Sequence, residues 1–219
     1  SLSKQLMVAN RLKNDFLATA SHEIRLPLHG MINLAHVMLK EGNLDERQSE
    51  RLSMLTATGH QLTHLVNDML DLTKLNEGSL EIDIRAVDIG TLVNGVADVM
   101  RTLKDGHSVV WIENRVDPAL PPVLADDHRL TQVLFHLFHY ALKWGAHGKV
   151  EVTAEISDRS GKAVIRVLAA GQRKTASEET QDEPMFATDF GLYLSRRLLS
   201  LHASNLYVEE TDTQLSMTF

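Results

Sequence analysis

Between Leu55 and Leu72 large apolar residues return every seven positions. Leu55, Leu62 and Met69 form one series, and Leu65 and Leu72 form a companion. A heptad of this kind draws a seam along one side of a helix, and a seam has to be covered by another helix. Upstream, Met7, Phe16, Leu17, Ala20, Ile24, Leu28, Met31, Ala35 and Met38 recur at three- and four-residue steps. That spacing predicts one long amphipathic helix over residues 1–41. The intervening KEGNLDE is a turn: Gly42 can end the first helix, and Asn43 or Asp45 can cap the second, which runs to about Asn76. Two helices joined so tightly form an antiparallel hairpin. One hairpin cannot bury both seams, so it is expected to pair with another copy into a dimeric four-helix bundle.

The pattern changes after NEGS, which divides the chain into residues 1–77 and 78–219. LEIDIRAVDI alternates as a strand, residues 89–104 read as a helix, HSVVWIENRV as a strand and DPALPPVLAD as a proline-rich connection. HRLTQVLFHLFHYALKW is a strongly apolar helix. GKVEVTAEIS and GKAVIRVLAA are strands that turn at Ser160-Gly161, GQRKTASEETQDEPM is a polar loop, DFGLYLSRRLLSLH is a helix, and NLYVEE with QLSMTF forms a last hairpin. The sum is helices layered on a sheet. A chain of 219 residues has room for two such domains, and a net charge of −7 argues against non-specific binding of nucleic acid. With no cysteine there is no disulfide, thiolate metal site or thiol nucleophile. No apolar run is long enough to span a bilayer and no signal peptide is evident. The chain starts inside a helical pattern and stops on a strand, as an excerpt of a longer protein would.

The chemistry is concentrated in FLATASHEIRLPLHGMINL, residues 16–34. Pro27 lacks an N–H, so the carbonyl of Glu23 loses its helical partner and the first helix is expected to kink beside His22 and Glu23. A carboxylate beside an imidazole can hold the proton of one ring nitrogen and leave the other free to attack. A solvent-facing histidine on a bundle is the plainer reading of the pair.

SHEIRLPLHGM resembles the H-box of sensor histidine kinases, S-H-E-L-R-T-P-L, and stands where that family has it, on the first helix of a dimerising hairpin. DDHRLTQVLFHLFHYALKWGAHGKVEV resembles the family's N-box segment, and the order of strands and helices agrees over the whole chain. The resemblance implies a fold of class α plus α/β, in which the dimeric four-helix bundle is followed by a Bergerat-type α/β sandwich. It implies that His22 is the phospho-acceptor and Glu23 its activating acid or base. ATP and magnesium are then the family's cofactors, receiver domains of response regulators its partners, and the cytoplasmic portion of an inner-membrane sensor its place. An H-box of this form, with nothing after the last strand, resembles the hybrid type, in which receiver domains and a phosphorelay follow.

The second domain departs from the family pattern. The N-box asparagine that holds magnesium falls at Tyr140, and the earlier one at His136; a phenol is a poor ligand for a hard cation. Ala169 in VLAAGQ stands where an aspartate accepts a hydrogen bond from adenine. In ATDFGL, Ala187 and Asp189 replace glycines that let backbone N–H groups approach phosphate, and Asp189 brings negative charge instead. Lys143, Gly171 and Gly191 remain as a vestigial nucleotide site. SEETQDEP is acidic where a basic or glycine-rich lid is expected. In the first domain Leu26 stands where the family has a Thr or Asn that places water for dephosphorylating a regulator.

These losses point to a pseudokinase with no cofactor of its own, which pairs with itself or with another sensor kinase. An active autokinase phosphorylating His22, and an ATP-independent phosphotransfer through His22, are the alternatives. His128, His136 and His139 carry no carboxylate on their face, and no metal site is assigned. His60 and His64 read as a solvated face, Trp111 and Trp144 as packing residues.

Overall fold

The computed structural model describes residues 2–42, 44–103, 111–144, 149–171 and 185–219, which fall into two compact units, 1–80 and 81–219. Asn43, the segments 104–110 and 145–148, and the polar loop 172–184 lie outside the described residues.

The first unit is a helical hairpin of α1 (Leu2–Glu41) and α2 (Glu46–Glu77). Gly42 adopts φ +71°, a left-handed conformation open to glycine, and so ends α1. Asp45 caps α2: its carboxylate accepts from Gln48 N–H at 2.8 Å, and the Gln48 side chain accepts from Asp45 N–H at 3.0 Å, a complete capping box. At the other end Gly78, at φ +67°, and Ser79 return N–H groups to Leu75 and Lys74. α1 is continuous through Pro27.

The stripe predicted on α1 divides in two. Leu28 and Ala35 are buried in the hairpin, together with Ile32, which the stripe did not include, whereas Ile24, Met31 and Met38 are exposed, Met31 by 55%. Leu28 and Ala35 are seven apart, and so are Ile24, Met31 and Met38, so α1 carries two parallel seams. The second matches the outer stripe of α2, where Leu55 and Leu62 are exposed and Leu65, Met69 and Leu72 half-buried. Gly59 sets how closely the helices approach: a Cβ there would lie 2.7 Å from Ile32 Cγ1 and 3.0 Å from Cδ1. The side chains of Met7, Phe16 and Leu17 lie outside those described.

The second unit runs β1 (Arg85–Val87), α3 (Ile89–Leu103), β2 (Trp111–Asn114), β3 (Val123–Ala125), α4 (Asp127–Trp144), β4 (Lys149–Ile156), β5 (Ala163–Ala170), α5 (Met185–Leu201), β6 (Tyr207–Glu210) and β7 (Gln214–Thr218). The main sheet has the order β2-β4-β5-β7-β6, with β2–β4 parallel and the other pairs antiparallel. Its buried face carries Val150, Val152, Ile165, Val167, Leu215 and Met217, at the alternate positions a pleated strand requires. Against this core lie Val133, Leu134, Leu137 and Phe138 of α4 and Leu194 and Leu198 of α5, all but completely buried.

The long strand expected over LEIDIRAVDI is confined to Arg85–Val87, which pairs with β3 in a separate two-stranded sheet. β3 lies inside the segment expected to be a connection. Pro118, Pro121 and Pro122 have no N–H to give a ladder, so pairing begins only at Val123. Beyond it Asp126 ends the ladder: its buried carboxylate accepts from the N–H groups of Asp83 at 2.8 Å and Arg129 at 3.0 Å, capping α4. Its own N–H donates to His202 Nε2 at 3.1 Å, and His202 Nδ1 faces the Leu198 carbonyl at 3.0 Å, which fixes the neutral Nδ1–H tautomer. Burial opposes ionisation of Asp126, but the backbone N–H groups of Asp83, Arg129 and His128 and the charge of Arg129 outweigh it, and its carboxyl is held below the ordinary range.

Candidate functional site

His22 and Glu23 lie midway along α1, directly after the buried Ser21. Glu23 is exposed, as are Leu26 and Pro27, while the side chain of His22 lies outside those described. One turn on, the half-buried Arg25 donates from Nη2 to Asn67 Oδ1 of α2, which ties the two helices together at the level of the H-box-like segment. Arg25 Nε is buried with no hydrogen-bond partner among the described residues. Neither Arg25 nor Asn67 is singled out by the sequence reading, since the contact joins positions 42 residues apart.

His60 and His64 were expected to share a solvated face. His64 is exposed, but His60 is half-buried and its ring meets the edge of His36 across the hairpin, with centroids 6.0 Å apart and planes at 62°.

In the second unit His136, Tyr140 and Lys143 follow one another along one side of α4 at steps of four and three. The Tyr140 hydroxyl donates to the carboxylate of Glu210, at the end of the edge strand β6. Glu210 pairs with Leu215, and Leu215 with Ala169, so this bond closes over the end of β5. Ala169 is 1% exposed and lies between Val150 and Leu215 in the sheet. Gly171 follows at φ +144° and bonds from its N–H to the Thr213 carbonyl at 3.0 Å.

The segment expected to begin a helix at Asp189 is already helical from Met185, so Ala187, Asp189 and Gly191 are all residues of α5. Glycine disfavours a helix interior by about 1 kcal/mol relative to Ala. Ala187 is therefore a favourable residue for the first turn of α5. The side chain of Ala187 lies outside those described, and Asp189 is exposed. Gly191 is buried against α4: a Cβ there would be 2.8 Å from His136 Nδ1 and 3.2 Å from Cγ. His136 and Gly191, 55 positions apart, thus fit against one another. Among the described residues no group of three or more His, Asp or Glu side chains is arranged to hold a metal ion, and no helix is long and apolar enough to cross a membrane.

Comparison with known proteins agrees with this geometry. The family profile of the His Kinase A (phospho-acceptor) domain matches residues 12–78. The chain is similar to the circadian input-output histidine kinase CikA of Synechococcus elongatus, 28% identical over 221 residues that cover 93% of this chain and 29% of the relative. It is similar to Histidine kinase 3 of Arabidopsis thaliana, 30% identical over 179 residues, covering 80% of this chain and 17% of the relative. The chain therefore spans less than a third of the curated relatives it matches. Among solved structures, full-length ShkA in complex with AMPPNP superposes with a TM-score of 0.66 at 27% identity, over 93% of this chain and 45% of that one. The Acinetobacter baumannii histidine kinase AdeS shares the fold, with a TM-score of 0.59 at 20% identity, over 90% of this chain and 95% of that one. A phospho-acceptor-type hairpin followed by a helix-covered mixed sheet, with relatives of one kind along nearly the whole length, assigns the chain to the sensor histidine kinase family.

Proposed function

We propose that this chain is the kinase core of a hybrid sensor histidine kinase whose second domain, residues 78–219, has lost its own ATP chemistry, and that it regulates signalling by pairing through residues 1–77. The observation that carries the reading is the Tyr140–Glu210 bond. Where the family resemblance places a magnesium-holding amide, a phenol is engaged by a carboxylate. A phenol is a weak ligand for magnesium, and a carboxylate beside it repels phosphate. Ala169 offers adenine a methyl group within a closed sheet, and His136 is packed on Gly191 where the phosphates would approach. Magnesium and ATP do not fit these residues. His22 and Glu23 keep the roles that the resemblance implies, phospho-acceptor and activating acid or base, toward a phosphoryl group supplied by a partner. The exposed seams Ile24–Met31–Met38 and Leu55–Leu62 offer a surface for a second copy or for the like hairpin of an active sensor kinase. Placement as the cytoplasmic part of a membrane-anchored sensor belongs to the same proposal.

Calorimetric titration of the chain with Mg-ATP tests it. The expected result is no binding in the micromolar range. Micromolar binding that is lost in Lys143→Ala overturns the reading in favour of an active autokinase. That second reading has one observation on its side, the AMPPNP held by ShkA at 27% identity. Phosphoryl exchange between His22 and a receiver without ATP would assign the chain to phosphotransfer instead.

A further inference from the structure

Histidine recurs on α1 at positions 22, 29 and 36, seven apart, and so along one side of the helix. At 3.6 residues per turn that side lies away from the exposed seam of Ile24, Met31 and Met38, with Leu28, Ile32 and Ala35 buried between the two. The hairpin therefore has two unlike edges. One is apolar and suited to a second copy. The other carries His29 and His36 on α1 and His60 on α2, and pairing along the apolar seam leaves it open to solvent.

On that edge the imidazoles of His36 and His60 meet edge to face, and His60 is half-buried beside Thr56 and Gly59. The charges that act on His60 across the hairpin are those of His36 first and then His29, both of the same sign as its own. Along α1, Arg25 lies further toward His22 and is engaged with Asn67, and Lys40 stands in the last turn. On α2 itself His64 follows one turn later.

We propose that His29, His36 and His60 form a proton-operated clasp on the hairpin. Neutral rings let α1 and α2 close at this level, and protonation as pH falls loosens them there. The inference is independent of the nucleotide reading, because it concerns the hairpin alone. Burial first, and then His36 and His29, press the His60 pKa below its ordinary value of 6.5. The folded hairpin thus binds this proton less readily than the unfolded chain. Stability is complete above pH 6.5 and declines as pH falls below it toward the lower folded value. Since His29 and His36 continue the line that begins at His22, the acid response is delivered to the helix that carries the phospho-acceptor position.

The test is hydrogen exchange of the 219-residue chain near pH 7.5 and about pH 5.5, corrected for intrinsic rates, with peptides from the sheet as internal reference. Exchange in 28–40 and 52–64 should rise roughly two- to fivefold on acidification, the effect of two added like-charge pairs. His60→Gln should abolish the rise. His36→Gln, which leaves the half-buried position untouched, should diminish it. Equal rises in wild type and both variants, or none in wild type, overturn the proposal. So does an imidazole titration by NMR that places His60 at or above 6.5. A response that vanishes on adding a chelator overturns it in favour of a bound metal ion.

Discussion

Gly59 gives the hairpin its tightest approach, and the consequence of filling it can be worked from distances. Ala at this position would place Cβ 2.7 Å from Ile32 Cγ1, 3.0 Å from Ile32 Cδ1 and 3.8 Å from Leu28 Cδ1. Ile32 is itself buried, so its γ-carbon has nowhere to retreat without moving the helix. Overpacking of this kind costs about 1–3 kcal/mol. Against it, replacing Gly with Ala inside a helix contributes about 1 kcal/mol. The net for Gly59→Ala is a loss of up to about 2 kcal/mol. The two effects separate in the background Ile32→Ala, which removes both close carbons. There the same substitution should stabilise by about 1 kcal/mol, so the cycle should give a coupling of about 1–3 kcal/mol. Both tryptophans, Trp111 and Trp144, lie in the second unit, so fluorescence follows that unit alone while far-UV circular dichroism follows both. The hairpin transition is read in urea as the dichroism change that fluorescence does not share. If Gly59→Ala is equally costly with Ile32 and with Ala at position 32, the close approach is not what glycine serves.

Leu62→Asp, on the exposed seam, should weaken self-association by about a hundredfold or more. Each copy loses a buried Leu contribution of about 1.5–3 kcal/mol and gains a charge that must be desolvated; sedimentation velocity that is unchanged would remove the seam from the interface. Asp126→Asn should cost the second unit about 1–3 kcal/mol, because an amide can accept from only one of Asp83 and Arg129 and turns a donor toward the other. The depressed carboxyl of Asp126 contributes stability that is present above its ordinary value of 3.8 and lost as pH falls through its lower folded value. Urea midpoints by tryptophan fluorescence should therefore fall more steeply toward about pH 3 in wild type than in the variant, and parallel curves would refute the assignment.

The heptad spacing reveals that α1 and α2 each carry seams, yet it does not say which members turn inward. Leu28 and Ile24 are alike in chemistry and differ only in rotation about the axis, and that angle is set by where Gly59 lets α2 come close. Prolines announce the irregular stretch 117–122, but the short β3 beyond it depends on a partner, β1, nearly forty residues earlier. At the nucleotide-like site the substitutions at Tyr140, Ala169 and Asp189 are visible in the motifs. The contacts these side chains make are not, because Tyr140 finds Glu210 across 70 positions and His136 finds Gly191 across 55. The early start of α5 is legible in hindsight from propensity: a glycine-rich loop resists helix, and a segment with Ala187 and Asp189 does not.

On the proposed reading, the contacts of Tyr140 and His136 would exclude a nucleotide. The sheet and its helices keep a closed core in Leu134, Phe138, Val150, Val167, Leu194 and Leu215. A ligand entering beside α4 would have to displace the Tyr140–Glu210 bond, which lies at the surface. It would also have to move His136 from Gly191, where the ring packs closely against the α5 backbone. Restoring single residues should then recover little. Tyr140→Asn leaves the adenine end facing the Ala169 methyl, and Ala169→Asp places a carboxylate in a sheet position that is 1% exposed. Only a combined change at Tyr140, His136 and Ala169 both clears the space and supplies polar partners. A single Tyr140→Asn variant that binds Mg-ATP in the micromolar range would refute exclusion by the combined neighbourhood.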